Sequence, residues 1–177
     1  MVARTDGDLV SRAQSGQLDA FEELVRRHRL ATYRVALRML GDESDAEDAT
    51  QDAFVQAWRN LAGFRADAAF STWMYRIVTN RCLNMLRARR RTEPLPQDRE
   101  APASRPDRIA EGRWQVEHLQ RAIGRLTAEQ RAPLVLRELQ GCSYEEIAET
   151  LDLSISAVKS RLHRARLELL AAMRQWA

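Results

Sequence analysis

Side chains able to read nucleic-acid bases fall in two clusters. The first surrounds residues 155–166, where Ser156, Lys159, Ser160, His163 and Arg164 share one helical face. Ile155, Val158, Leu162, Ala165 and Leu169 share the opposite, core-facing side. No carboxylate stands among the polar set. Small serines permit close approach to a groove wall, while Lys and Arg reach guanine acceptors or phosphates. Arg161 and Arg166 flank the face, placed for phosphate contacts. Many solvated helices carry a basic amphipathic face, so the preceding segment decides the reading. Ser143-Tyr-Glu-Glu146 fits a capping box and starts a short helix that carries Ile147, Ala148 and Leu151 inward. Asp152-Leu153-Ser154 then makes a turn. A short helix, a tight turn and a second helix with a donor-rich outer face form a helix-turn-helix, which enters the major groove of duplex DNA.

The second cluster lies between Phe64 and Arg91. On a helical wheel Met74, Ile77, Val78, Cys82 and Met85 form an apolar arc; Arg81 intrudes on it, its stem expected to snorkel. Roughly opposite lie Trp73, Arg76, Asn80, Asn84 and Arg87. A tryptophan on the cationic side suits stacking on an unpaired base, with Asn reaching base edges and Arg the backbone. The loop ahead of it, 66–70, would supply a recess for an extracted base. The bland alternative is that Trp73 packs on a neighbouring helix and the arginines only solvate the surface.

A third pattern is acidic. Residues 42–52 hold six carboxylates and no base. Ala46, Ala49, Ala53, Phe54, Ala57 and Trp58 gather on one side of the helix they predict, and Asp45, Asp48 and Asp52 on the other. First-turn acids satisfy the helix dipole, which accounts for Asp45 and Glu47 but hardly for Asp52. An acidic stripe is repelled by phosphates and fits a basic protein surface instead.

Net charge is only +3, but it is unevenly distributed: residues 76–91 carry six arginines without an acid, and residues 153–177 carry five bases and one acid. Opposed patches of this kind imply different partners for different surfaces. Cys82 and Cys142 are far apart and outside any CxxC, so they read as reduced, unpaired thiols. The three histidines have no companions at ligand spacing, so neither a metal nor another cofactor is expected. No apolar run is long enough to span a membrane, and the first residues lack a secretory core, so a cytoplasmic location is expected. An enzyme acting on nucleic acid would need clustered acids or a nucleophile–base pair, and neither is visible.

Few glycines, few prolines and long 3.6-residue periodicity predict an all-α protein. Four of the five prolines fall in residues 94–106, where missing donors and restricted preceding residues favour an extended, flexible linker. The expected division is a flexible start at 1–7, a helical unit at 8–91, a linker at 92–113 and a second unit at 114–177. The first unit reads as helices near 8–14, 19–40, 44–61 and 71–90. Gly41 acts as a stop and Ser44-Asp-Ala-Glu47 as a capping box. In the second unit Thr127-Ala-Glu-Gln130 is another capping box. Pro133 falls in the first turns of that helix, where a missing donor costs least.

Taken together these segments resemble the extracytoplasmic-function group of the sigma-70 family. Residues 45–58 resemble its polymerase-binding helix, residues 70–87 its −10 recognition segment and residues 143–166 its −35 reader. The resemblance implies two small helical domains, sigma domains 2 and 4, joined by a linker that threads toward the RNA exit path. It implies that Asp45, Asp48, Gln51, Asp52 and Gln56 meet the clamp coiled coil of the largest subunit of core RNA polymerase, and that the second unit meets the flap region. Phe70, Trp73, Arg76, Asn80, Asn84 and Arg87 would capture the melted −10 strand of promoter DNA. Ser156, Lys159, Ser160, Arg161, His163 and Arg164 would read the −35 element. An anti-sigma factor is the expected inhibitor, and no appended sensing domain is expected after Ala177. A stand-alone helix-turn-helix regulator is the alternative.

Overall fold

The computed structural model describes residues 5–65, 67–92 and 111–174, and most of the expected linker lies outside them. Among the described residues every regular element is helical. Helix α1 (Asp6–Gln14) starts on a capping box in which Thr5 and Asp8 satisfy each other's backbone N–H groups. Helix α2 (Leu18–Leu40) stops at Gly41, whose φ of 73° is the left-handed conformation expected of a terminating glycine. Helix α3 (Glu43–Asn60) begins earlier than the Ser44 box predicts. Asp42, extended just after the Gly41 stop, caps it by accepting the Asp45 N–H at 2.9 Å. A 3-10 turn, Leu61–Gly63, leads toward α4 (Phe70–Thr92).

The second unit contains α5 (Glu111–Arg125), α6 (Ala128–Gln140), α7 (Tyr144–Leu151) and α8 (Ile155–Arg174). Both expected capping boxes form, Thr127 with Gln130 and Ser143 with Glu146. Pro133 sits deeper in α6 than its first turn, so the helix forgoes one internal bond there. The turn between α7 and α8 closes on Asp152, a non-glycine residue at φ 54°. Asp tolerates that conformation better than β-branched or bulky residues.

Alanine lines the buried side of α3: Ala46, Ala49, Ala53 and Ala57 are fully inaccessible, which lets α2 and α4 approach closely. Leu9, Leu24, Met39, Met74 and Val78 fill the space between the helices. In the second unit Leu136, Ile147, Val158, Leu162 and Ala165 do the same. The two cores adjoin. Ala132 and Val135 of α6 pack with the first unit, and Tyr75 and Leu151 touch both clusters. Arg131, buried at 8 % exposure, donates to the Met39 carbonyl at 2.5 Å and to the Leu126 carbonyl at 2.9 Å. It thereby joins the last turn of α2 to the corner between α5 and α6, placing a cation where helix carbonyls concentrate negative potential.

Candidate nucleic-acid interface

On α8 the polar face stands free, with Ser156, Lys159, Ser160, His163 and Arg164 all exposed, while Val158, Leu162 and Ala165 are buried beneath. Ile155 departs from the expected inward face. It is 39 % exposed because, as the first residue of α8, it projects beyond the packed helix pair. The helix is braced from both sides. Arg166 meets Glu138 of α6 at 2.6 Å, and Arg161 approaches Glu129 at 3.9 Å. The Tyr144 ring meets the Arg137 guanidinium (4.8 Å) and the Lys159 ammonium (5.5 Å), cation–π contacts that draw the tip of Lys159 toward α7. These partners lie in other helices, which is why the wheel of α8 alone did not show them.

On α4, Arg76, Asn80, Asn84 and Arg87 are exposed along one side, and Met74, Ile77, Val78 and Cys82 are buried along the other. Two expectations are corrected here. Phe70 is only 3 % exposed; its ring packs against Phe64, Trp73 and His28, so it supports the site from within. Trp73 is half-buried, 4.8 Å from Phe64, so packing and an accessible edge coexist. The cause is the turn before α4, which folds Phe64 back under the first helical turn. Trp73 and Arg76 open onto a recess of about 190 Å³ whose walls include Phe64, Arg65, Asp67 and Thr72. Glu149 and Thr150 of α7 complete it.

The acidic stripe on α3 is partly answered within the chain. Arg81 meets Asp52 at 2.7 Å and Arg89 pairs with Asp45. Arg81 therefore leaves the apolar arc by an ion pair rather than by snorkelling alone. Asp48, Gln51 and Gln56 remain exposed. Beside them α2 and α3 frame an apolar groove lined by Phe21, Val25, Phe54, Val55 and Trp58. Trp58, expected on the inner side, is 40 % exposed and rests on Phe21 with ring centres 4.8 Å apart. The groove was missed in the sequence; the i, i+3 pair Val55–Trp58, both exposed, is the signal that could have found it.

Neither cysteine is reactive in this setting. Both are free and buried, and burial pushes the Cys82 thiol up to about 12 and Cys142 up to about 11. The described residues contain no cluster able to hold a metal ion and no helix long and apolar enough to cross a membrane.

Residues 24–92 match the family model of sigma-70 region 2, and residues 117–169 match that of sigma-70 region 4. The ECF RNA polymerase sigma factor SigM of Mycobacterium tuberculosis is 39 % identical over 166 residues, covering 94 % of this chain and 83 % of SigM. The chain belongs to the ECF sigma factors. SigE of Mycolicibacterium smegmatis, also an ECF RNA polymerase sigma factor, is 39 % identical over 157 residues; the match takes in 86 % of this chain but only 61 % of that longer protein. The fold likewise resembles CnrH, solved in complex with the cytosolic domain of CnrY, at a TM-score of 0.75 and 31 % identity, covering 97 % of this chain and 99 % of CnrH. In this ECF sigma factor the region 2 match ends at the end of α4, and the region 4 match takes in α6, α7 and most of α8.

Proposed function

We propose that this ECF sigma factor directs RNA polymerase to promoters through a division of labour between its two helical units. The exposed, carboxylate-free face of α8, with Ser156, Lys159, Ser160, His163 and Arg164, docks in the major groove at a −35 element, and Arg161 adds a backbone contact. Trp73, Arg76, Asn80, Asn84 and Arg87 hold the −10 strand once it opens, with Phe70 as the pillar beneath Trp73. Asp48, Gln51 and Gln56, with Asp45 and Asp52 beside them, meet the clamp coiled coil of core polymerase, and the second unit meets its flap region. The units correspond to residues 8–91 and 114–177, and the chain acts in the cytoplasm, where the polymerase and promoter DNA are. RNA synthesis stays with the polymerase; the chain contributes binding only. CnrH is held by the cytosolic domain of CnrY, which supports an anti-sigma factor as a further partner here.

The observation that carries the reading is the pairing, on one chain, of a free duplex-reading helix with a Trp–Arg recess in the order of regions 2 and 4. A stand-alone regulator leaves that recess without a use. The test is reconstitution with bacterial core polymerase on a template selected from random promoters. The expected result is co-migration with core and template-specific initiation; loss of either overturns the reading.

A further inference from the structure

We infer that Gln14 and His28 are positioning residues of the single-strand site, through which the first helix, α1, sets the two rings that support Trp73; the inference rests on the assignment of that site above. The match to region 2 begins at residue 24, so α1 lies outside it. Trp73 leans on Phe64, with ring centres 4.8 Å apart, and on Phe70, with centres 5.8 Å apart. Neither support is fixed by its own segment alone. Phe64 follows the 3-10 turn in extended backbone, and the described residues from there to Phe70 belong to no helix. Phe70 is the first residue of α4, so no preceding helical turn confines its side chain.

Each ring is held from one end of α1. At the last residue of that helix, Gln14 donates from Nε2 to the carbonyls of Leu61 and Phe64, each at 2.9 Å. One amide thus ties both ends of the turn and fixes where the Phe64 backbone leaves α3. At the first residue, Asp6 Oδ2 lies 2.6 Å from His28 Nε2, and the His28 ring lies against Phe70 with centres 5.1 Å apart. A carboxylate partner fixes the orientation of an imidazole, and here the fixed ring backs Phe70. Arg27 holds the same carboxylate at 3.0 Å, so Asp6 is itself anchored. The two contacts are the ends of one rigid rod about 12 Å long. The fold does not depend on them, because Leu9, Val10 and Ala13 bury α1 in the core. Hydrogen bonds near the surface add little stability, since water competes for the same groups. What these bonds supply is direction. Without them Phe64 and Phe70 keep their places but gain freedom, and a loose floor weakens a stack that needs a defined ring geometry. Neither Gln14 nor His28 is among the walls of the recess, so their effect on a strand passes through Trp73.

The test is a double-mutant cycle on the full chain. Affinity is measured for a labelled, random-sequence single-stranded pool and, as a control, for a random-sequence duplex. Gln14→Met keeps the length of the side chain and removes its donor. It should lower strand affinity about threefold to fivefold, a share of what the stack on Trp73 contributes, and leave duplex affinity unchanged. In a Trp73→Ala background the same substitution should have no effect on strand affinity, because residues that act through one another do not add. Gln14→Lys, which returns a donor to the two carbonyls, should restore strand affinity relative to duplex affinity. His28→Phe keeps a ring against Phe70 but cuts the link to Asp6. It should act in the same direction, vanish in the same background, and decide the matter if Gln14→Met fails to fold. Unchanged strand affinity in both variants overturns the positioning role. So does a loss of equal size in the Trp73→Ala background, or a loss of equal size on duplex. If Trp73→Ala alone costs nothing on the strand, the assignment of the site fails and the positioning role falls with it. That outcome is read from the single variant and is distinct from a Trp73 that matters while Gln14 and His28 do not.

Discussion

Helices α4 and α8 both present cations and small polar groups on one side and bury the other, yet the surfaces around them differ in the way the proposed division between melted strand and duplex requires. The face of α8 is bare, and its bracing comes from acids and a tyrosine on α6 and α7 that grip its flanks. The face of α4 is recessed, floored by Phe64, Phe70 and Trp73 and closed on one edge by α7. A duplex is a rigid body with its hydrogen-bonding groups at the groove surface, so its reader needs donors on a stiff rod. An unpaired base has two apolar faces and must be held out of its stack, so its binder needs a floor and a wall. Where aromatics sit in relation to the cations, and not the cations themselves, separates the two helices.

The largest effect that would break this comparison belongs to Phe70. As a buried support, Phe70→Ala should cost about 3–5 kcal/mol of stability, read as a shift of the urea unfolding midpoint. A stable variant with weakened DNA binding alone would return Phe70 to the contact surface. Next is Trp73→Ala. A base stack contributes about 1–3 kcal/mol, so single-strand affinity and promoter opening should fall fivefold or more while duplex binding is spared. Equal loss of both would erase the division between α4 and α8. On α8, Arg164→Ala should cost about 1–3 kcal/mol on a preferred −35 sequence and less on random duplex if Arg164 reads a base. If Lys159 touches only phosphate, Lys159→Ala should weaken all duplexes alike and reduce the slope of log affinity against log salt by about one.

The bracing of α7 carries a pH signature. The backbone N–H of Ser143 holds the Glu146 carboxyl below its ordinary value of 4.5, with the Thr72 hydroxyl adding to it and burial opposing. A carboxyl depressed in the folded state stabilises above its unfolded value, and that contribution is lost as pH falls through the folded one. Thermal stability should therefore decline as pH drops below about 4.5, and the decline should be shallower in Thr72→Val, which lacks one of the bonds to the carboxylate. Ser143→Ala should cost about 1 kcal/mol at neutral pH through the lost cap.

The local signals were legible in the residues because their causes are local. Ser143 with Glu146 and Thr127 with Gln130 formed the predicted boxes, and Gly41 stopped α2, since each needs only its own turn. Ser44 lost to Asp42 because two potential caps stood two residues apart, and the chain direction leaving Gly41 chose between them. Periodicity placed Met74, Val78 and Cys82 inward correctly, but it could not place Trp73. That residue lies at the border of the arc, and its environment is made by Phe64 from a non-helical turn. The junction of the two cores was illegible for the same reason: Arg131 reads as a surface cation in α6, and only the approach of Met39 from a distant helix turns it into a buried joint.

The smallest expected effect tests whether the bracing acids merely hold α8 or also hold back its cations. Glu138 ties Arg166 at 2.6 Å, both side chains about half exposed. The charge pair keeps the guanidinium protonated above its usual range, yet exposed pairs contribute no more than about 1 kcal/mol, so Glu138→Gln should leave the fold nearly unchanged. Its effect on DNA is electrostatic. Removing one carboxylate beside a phosphate-facing arginine should raise duplex affinity about twofold to threefold at low salt and leave it unchanged near 1 M, where screening shortens to a few ångströms. Asp52→Asn makes the matching change beside α4, since it frees Arg81. Arg81 lies about two turns beyond Trp73 on α4 and reaches toward α3, so that substitution should leave duplex and single-strand affinity alike and alter only the acidic face toward polymerase. If Asp52→Asn strengthened strand binding as Glu138→Gln strengthens duplex binding, the cations of α4 would act as a diffuse positive field, and the recess would lose its claim to be the feature that distinguishes the two helices.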